Sequence, residues 1–223
     1  MKYCVNFKKL SMDEYRKILS QQDLLPSRKI LAQNVDSAFS SIKDAEIKNL
    51  GELLKALNTA AKLSSFSNRT GLSEEYLVIL RREAGSLEPR SVALRDFPFM
   101  NGETHDILFR SNIKTSKDFY ELFDTVEDVS RIAREKSISK DCVYELFCLC
   151  SLVRINGIGA AAAKCFFDAG FRSVSEVAEA NPFDMLKRIS EANADNRYYK
   201  AKLGEKDMQF CINYAKILLR ISD

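Results

Sequence analysis

The chain has 223 residues, 46% of them apolar and 29% charged, with only eight glycines and four prolines. That balance suits a folded core and excludes long disordered or low-complexity tracts. Its formal net charge of +3 is too small to argue for a polyanion partner by itself.

Charge is unevenly spread. Residues 1–66 carry 11 Lys and Arg against 7 Asp and Glu, residues 67–133 carry 9 against 12, and residues 134–223 carry 14 against 12. The first residues, Met1-Lys2-Tyr3-Cys4-Val5, lack the apolar stretch of a secretory signal, and the richest apolar run, 147–153, is too short to span a bilayer. Six cysteines without a C-x-x-C pair, together with the single His105, argue against structural zinc and for reduced, buried thiols. The expectation is a cytoplasmic protein with no membrane segment, metal or cofactor.

Helix signals dominate in chain order. Ser11-Met12-Asp13-Glu14 reads as a capping box opening a helix whose apolar positions are Met12, Tyr15, Ile18 and Leu19. Pro26 restarts the chain. Asn34 is placed to cap a helix over 35–44, and Asn49 one over 50–57. A further helix runs through Ala60, Ala61 and Leu63 to a stop at Gly71. Ser73-Glu74-Glu75 sets a cap and two acids against the next helix dipole. Pro89 and Pro98 mark 86–99 as a longer connection. Helices are then predicted at 102–111, 117–123, 126–136, 140–152, 160–169, 174–180, 182–192 and 205–221, with Asn181-Pro182 as cap and first helical residue. No alternating pattern predicts a strand, so the fold class is all-α.

An internal repeat organises these helices. Ala45-Glu46-Ile47-Lys48-Asn49, Ser111-Asn112-Ile113-Lys114-Thr115 and Ala169-Gly170-Phe171-Arg172-Ser173 share a helix end, an apolar plug, a basic residue and an N-cap. Gly71-Leu72-Ser73-Glu74-Glu75 pairs in the same way with Ser137-Ile138-Ser139-Lys140-Asp141. Three units follow, 1–66, 67–133 and 134–223, each burying its apolar face against a neighbour.

The most specific stretch is Leu152-Val153-Arg154-Ile155-Asn156-Gly157-Ile158-Gly159-Ala160-Ala161-Ala162-Ala163-Lys164. Glycines permit a tight turn, Ile158 serves as an inward plug, and the alanines let two helices approach. This stretch resembles the helix-hairpin-helix motif of DNA repair, ligation and recombination proteins. The resemblance implies that Gly157, Ile158 and Gly159 present backbone N–H groups to a phosphate, with Lys164, Arg154 and Arg172 as basic neighbours. Many DNA-binding versions carry Lys, Arg or Thr just after the second glycine; here those positions are Ala160, Ala161 and Ala162. The counterpart in the middle unit, Phe97-Pro98-Phe99-Met100-Asn101, has lost both glycines.

The whole chain resembles an uncharacterised bacterial domain-of-unknown-function family with tandem helix-hairpin-helix units. The carrying residues are Leu24-Leu25-Pro26-Ser27-Arg28, Thr70-Gly71-Leu72-Ser73-Glu74-Glu75-Tyr76-Leu77 with Leu80-Arg81-Arg82-Glu83, and residues 152–159. The implied fold is a tandem, SAM-like helical array without sheet. The implied role is non-catalytic backbone binding of nucleic acid, DNA rather than RNA, without sequence choice. The competing reading uses the same repeats as a protein-interaction scaffold. Catalysis has no constellation to carry it: His105 lacks a nucleophile motif, and the adjacent Asp106 is expected to point elsewhere on its helix. The cluster Arg197-Tyr198-Tyr199-Lys200-Ala201-Lys202, which follows Asn196, interleaves aromatic and basic residues and reads first as plugs beneath a loop.

Overall fold

Thirteen α-helices and four short 3-10 turns form among the residues that the computed structural model describes, namely 1–22, 24, 26–98 and 100–222, with Asn196 described in its backbone alone. Two positions used in the sequence reading, Leu25 and Phe99, lie outside the described residues. No strand occurs among the described residues; two isolated antiparallel bridges are the nearest approach to one. The chain divides into two compact units. One is Asn6–Glu88, and the other joins Met1–Val5 to Pro89–Asp223.

In the first unit the helices are α1 (Met12–Gln21), α2 (Val35–Asp44), α3 (Leu50–Ala56), α4 (Ala60–Thr70) and α5 (Glu74–Gly85). The capping box forms as read: the Ser11 hydroxyl accepts from the Glu14 amide at 3.3 Å, and the Ser11 amide donates to Glu14 Oε2 at 3.0 Å. Asn34 differs from expectation. It is itself left-handed, with φ of 54°, and its side chain makes no cap bond, because capping requires an extended residue whose side chain reaches back over the first turn. Tyr15, Phe39, Leu50, Leu53, Leu77 and Leu80 are buried at the centre.

The second unit holds α6 (Gly102–Arg110), α7 (Ser116–Tyr120), α8 (Val129–Lys136), α9 (Lys140–Leu152), α10 (Ala160–Asp168), α11 (Val174–Glu179), α12 (Pro182–Asn196) and α13 (Glu205–Ile221). Two expected helices are trimmed. The helix read to 123 stops at Tyr120, and the one read from 126 begins as a 3-10 turn, Val126–Asp128. Phe147 on α9 stacks on Tyr120 at 5.4 Å and meets Phe123 at 4.5 Å, so α7 and the turn after it close over α9. Helix α9 also receives α8 and α10, and α13 lies across α11 and α12.

The three turns matched in sequence share one backbone geometry. Glu46, Asn112 and Gly170 are left-handed, with φ of 61°, 60° and 86°. The amides of Ile47, Ile113 and Phe171 reach back to Ile42, Leu108 and Phe166 carbonyls at 3.4, 2.9 and 2.9 Å, the long bond of a Schellman helix end. Asn49, Thr115 and Ser173 then cap α3, α7 and α11 through their side chains. Ser137 ends α8 in the same Schellman geometry, the Ile138 amide reaching Ala133 O at 3.0 Å, while the left-handed Gly71 and Arg197 end α4 and α12 with bonds back to the Ser67 and Asn193 carbonyls, both at 2.8 Å. Sequence matching pairs Ser137 with Gly71, although their bonds differ, and misses Arg197, which has no glycine-like signature.

Candidate functional site

Helix α9 ends at Leu152 because the chain tightens through successive 3-10 bonds: Arg154 N to Ser151 O at 3.3 Å, Ile155 N to Leu152 O at 3.0 Å and Ile158 N to Ile155 O at 3.1 Å. Gly157 supplies a φ of +91°, which a side chain resists. Ile158 is 5% exposed and plugs the interior as read, while Gly157 and Gly159 are exposed. The Ile158 amide is thus occupied by a carbonyl of the turn, leaving the next amides along as the open ones.

Those amides belong to the start of α10. Gly159 is its N-cap, extended at φ −86° and ψ 178°, and offers no side-chain acceptor. The first-turn amides of a helix have no intrahelical partner. Here neither a capping side chain nor an acid stands in the first turn. Elsewhere in the unit Asn101, Thr115, Ser139, Ser173 and Asn181 each cap a helix start with a side chain, while α8 continues from the 3-10 turn Val126–Asp128 without a side-chain cap, and α13 starts at a bare Gly204 but carries Glu205 and Asp207 in its first turn. The partial positive charge at the start of α10 therefore has no compensating group in its own first turn.

The three basic residues singled out in sequence go to different places. Arg154 does not line the open face. It is 4% exposed, and its guanidinium donates to Tyr3 O at 3.1 Å, Tyr120 Oη at 2.9 Å and Ser222 Oγ at 2.8 Å, lying 4.8 Å from the Tyr120 ring centroid. Lys164 pairs with Asp168 at 2.6 Å and Glu145 at 3.2 Å. Burial works against its ammonium, but the bonds to these two carboxylates prevail and hold it above its ordinary pKa. Arg172 is exposed; its guanidinium lies 5.6 Å from the Phe167 ring that Lys164 also approaches, at 5.3 Å, and its amide donates to Glu176. The structure thus brings Lys164 and Arg172 together around Phe167 and sends Arg154 inward.

Two participants have no signal in the local sequence, Phe210 and Glu145. Phe210 on α13 is 42% exposed and lies 3.6 Å from where a Gly157 side chain would begin, so an aromatic edge borders the turn. Glu145 neutralises Lys164 from α9, a pairing across helices that no local pattern announces. The Lys164–Asp168 pair, by contrast, was legible as i,i+4 spacing. The loop before α13 follows its first reading: Tyr198 donates to Asp168, the Tyr199 amide to Asn193, and the Arg197, Lys200 and Lys202 side chains are left exposed.

Away from the turn, His105 approaches Asp106 at 3.6 Å, where the two had been expected to point apart, and stacks 5.9 Å from Phe109. Neighbours on a helix diverge at Cβ, but long side chains can bend back. Cys148, Cys150, Cys165 and Cys211 are buried, and burial lifts the Cys148 thiol to about 11. Among the described residues no group of three His, Cys, Asp or Glu is placed to hold a metal ion.

By architecture this is an all-helical protein, and none of its described helices is long and apolar enough to cross a membrane. The family model described as Domain of unknown function (DUF4332) matches residues 98–218, just over half of the chain, and the chain belongs to that family. No curated protein and no solved structure matches it.

Proposed function

We propose that this protein binds the phosphate backbone of nucleic acid, DNA rather than RNA, without sequence choice, as a cytoplasmic accessory factor with no catalytic role. In this reading the α9–α10 turn acts as a helix-hairpin-helix within a tandem, SAM-like array whose units are 1–66, 67–133 and 134–223. One observation supports it: the N-cap of α10, Gly159, is exposed, offers no side-chain acceptor and is followed by no acid in the first turn, where the next helix, α11, is closed by Ser173 and Glu176. Such a terminus attracts an anion through oriented amides without any cationic side chain. Contacts of this kind position a backbone and read no bases.

The committed state of Arg154 and Lys164 sets the strength. With roughly one or two phosphates engaged, log affinity should fall against log salt with a slope of about −1 to −2. Labelled single- and double-stranded DNA and RNA at low salt test the proposal. Gly159→Asp is the decisive variant: no atom lies within 4 Å of the new Cβ, and the carboxylate would cap the amides an incoming phosphate needs. Gly159→Ala leaves those amides open. Binding by the parent and Gly159→Ala but not by Gly159→Asp supports the reading; equal binding by all three, or none by the parent, removes it.

The second reading, a protein-interaction scaffold, is favoured by the aromatic surface of this unit, Phe210 beside the turn and Phe183 at 64% exposure. It expects Phe210→Ala to abolish association with a protein partner and Gly159→Asp to leave that association unchanged.

A further inference from the structure

The guanidinium of Arg154 sits three residues before the left-handed Gly157, inside the unit. Each acceptor that binds it there is neutral: a main-chain carbonyl, a phenol and a serine hydroxyl. Those acceptors come from positions 3, 120 and 222, so one side chain joins the first residues of the chain, the end of α7 and the end of α13. Two aromatic rings complete the cage, Tyr120 at 4.8 Å and Tyr3 at 5.8 Å.

The partner from the N-terminal segment is itself fixed. Tyr3 Oη donates to Arg90 O at 2.9 Å and lies 2.9 Å from Ser116 Oγ, while the Tyr3 amide donates to Glu121 at 3.2 Å. The terminal ammonium of Met1 binds the Phe123 carbonyl. A hydrophobic residue would fill the space at lower desolvation cost, since a buried charge is a weak source of stability. What the fork adds is direction: its donors are satisfied only when three separate pieces of chain hold one arrangement.

We propose that Arg154 is the positioning residue of the α9–α10 turn, and that Met1–Val5 is the strap that sets the turn's geometry through it. The functional importance of that geometry rests on the phosphate-binding reading; the positioning itself does not. The strap makes the N-terminal segment part of the site's support, although it lies more than 150 residues from the turn in sequence and outside residues 98–218, which match the family.

Hydrogen–deuterium exchange on the full chain tests the positioning without any ligand. Arg154→Met and Arg154→Lys should speed exchange of the amides in 155–163 by about tenfold or more, with α12 and α13 changed much less. Tyr3→Phe, which keeps the carbonyl but frees the strap from Arg90 and Ser116, should give a smaller change at the same amides. If Arg154→Met does not fold, Tyr3→Phe and Ser222→Ala carry the test. Exchange that rises equally in all helices, or does not rise at 155–163, overturns the proposal and leaves Arg154 as packing. Titration of the same variants with labelled DNA at low salt is a separate arm. A parent that binds no DNA ends the phosphate reading while the exchange result still decides the strap.

Discussion

Helices α10 and α11 begin only 14 residues apart, after turns of similar length, and their starts are treated in opposite ways. Ser173 accepts from the Glu176 amide at 3.1 Å, and Glu176 reaches back to the Arg172 amide at 2.6 Å. Gly159 does neither. Closure of the first kind recurs at Asn49 with Glu52 and at Thr115 with Asp118. Glycine in place of a capping side chain at α10 forgoes roughly a few tenths of a kcal/mol. That contrast sets the start of α10, a bare glycine followed by no acid in the first turn, apart from starts closed by both a capping side chain and a carboxylate.

Several substitutions sharpen or break the contrast. The largest effect belongs to the joining turns. Gly170→Ala places a Cβ 2.3 Å from Arg188 Nη2 in a left-handed backbone, and chemical denaturation should show a loss of about 1–2 kcal/mol. Arg188 is exposed and can move, so the backbone cost is the part that persists. Next comes Gly159→Asp, which closes α10 as Ser173 closes α11 and should remove anion binding while raising stability by roughly a few tenths of a kcal/mol. A variant that is destabilised instead would mean that the terminus is not open.

Glu46→Gly acts on stability alone, relieving a left-handed non-glycine at the position that Gly170 occupies in the third turn. It should stabilise by about 0.5–1 kcal/mol, seen as a rise in the denaturation midpoint. The smallest effect is set by acid. The Lys48 amide holds the Glu52 carboxyl below its ordinary 4.5. For Asp118, partial burial pushes upward, but hydrogen bonds from the Lys114 and Thr115 region prevail and hold it below 3.8. A carboxyl lowered in the folded state contributes stability above its unfolded pKa and loses that contribution as pH falls through the folded value. Amide exchange at 45–49 and 111–115 should therefore accelerate below about pH 4, corrected for intrinsic rates, while the α9–α10 turn, which lacks such a carboxylate, should not share that onset.

Much of this architecture was legible beforehand because it is written locally. Caps, left-handed helix ends and i,i+4 pairs involve residues within five positions of each other, so Ser11, Asn49, Thr115, Ser139 and Ser173 could be read as helix starts from residue type and spacing. The misreadings came where a backbone angle or a second helix intervened. Asn34 has a capping residue's chemistry but a left-handed backbone, and Arg197 ends a helix without resembling Gly71. At the candidate site, the exposed glycines and the buried Ile158 follow from the Gly-Ile-Gly pattern. The fate of the basic residues does not: Lys164 meets Glu145 from another helix, and Arg154 turns inward to partners 34 to 151 positions away.

The sequence by itself determined that the chain is helical and where most helices start and stop, because both depend on short-range sterics and hydrogen bonding. Only the tertiary structure decided which charges reach water. A guanidinium or ammonium goes wherever acceptors from distant segments converge, and that convergence is a property of packing. The same packing turned Arg154 from a surface cation into an internal tie and placed Phe210 beside Gly157.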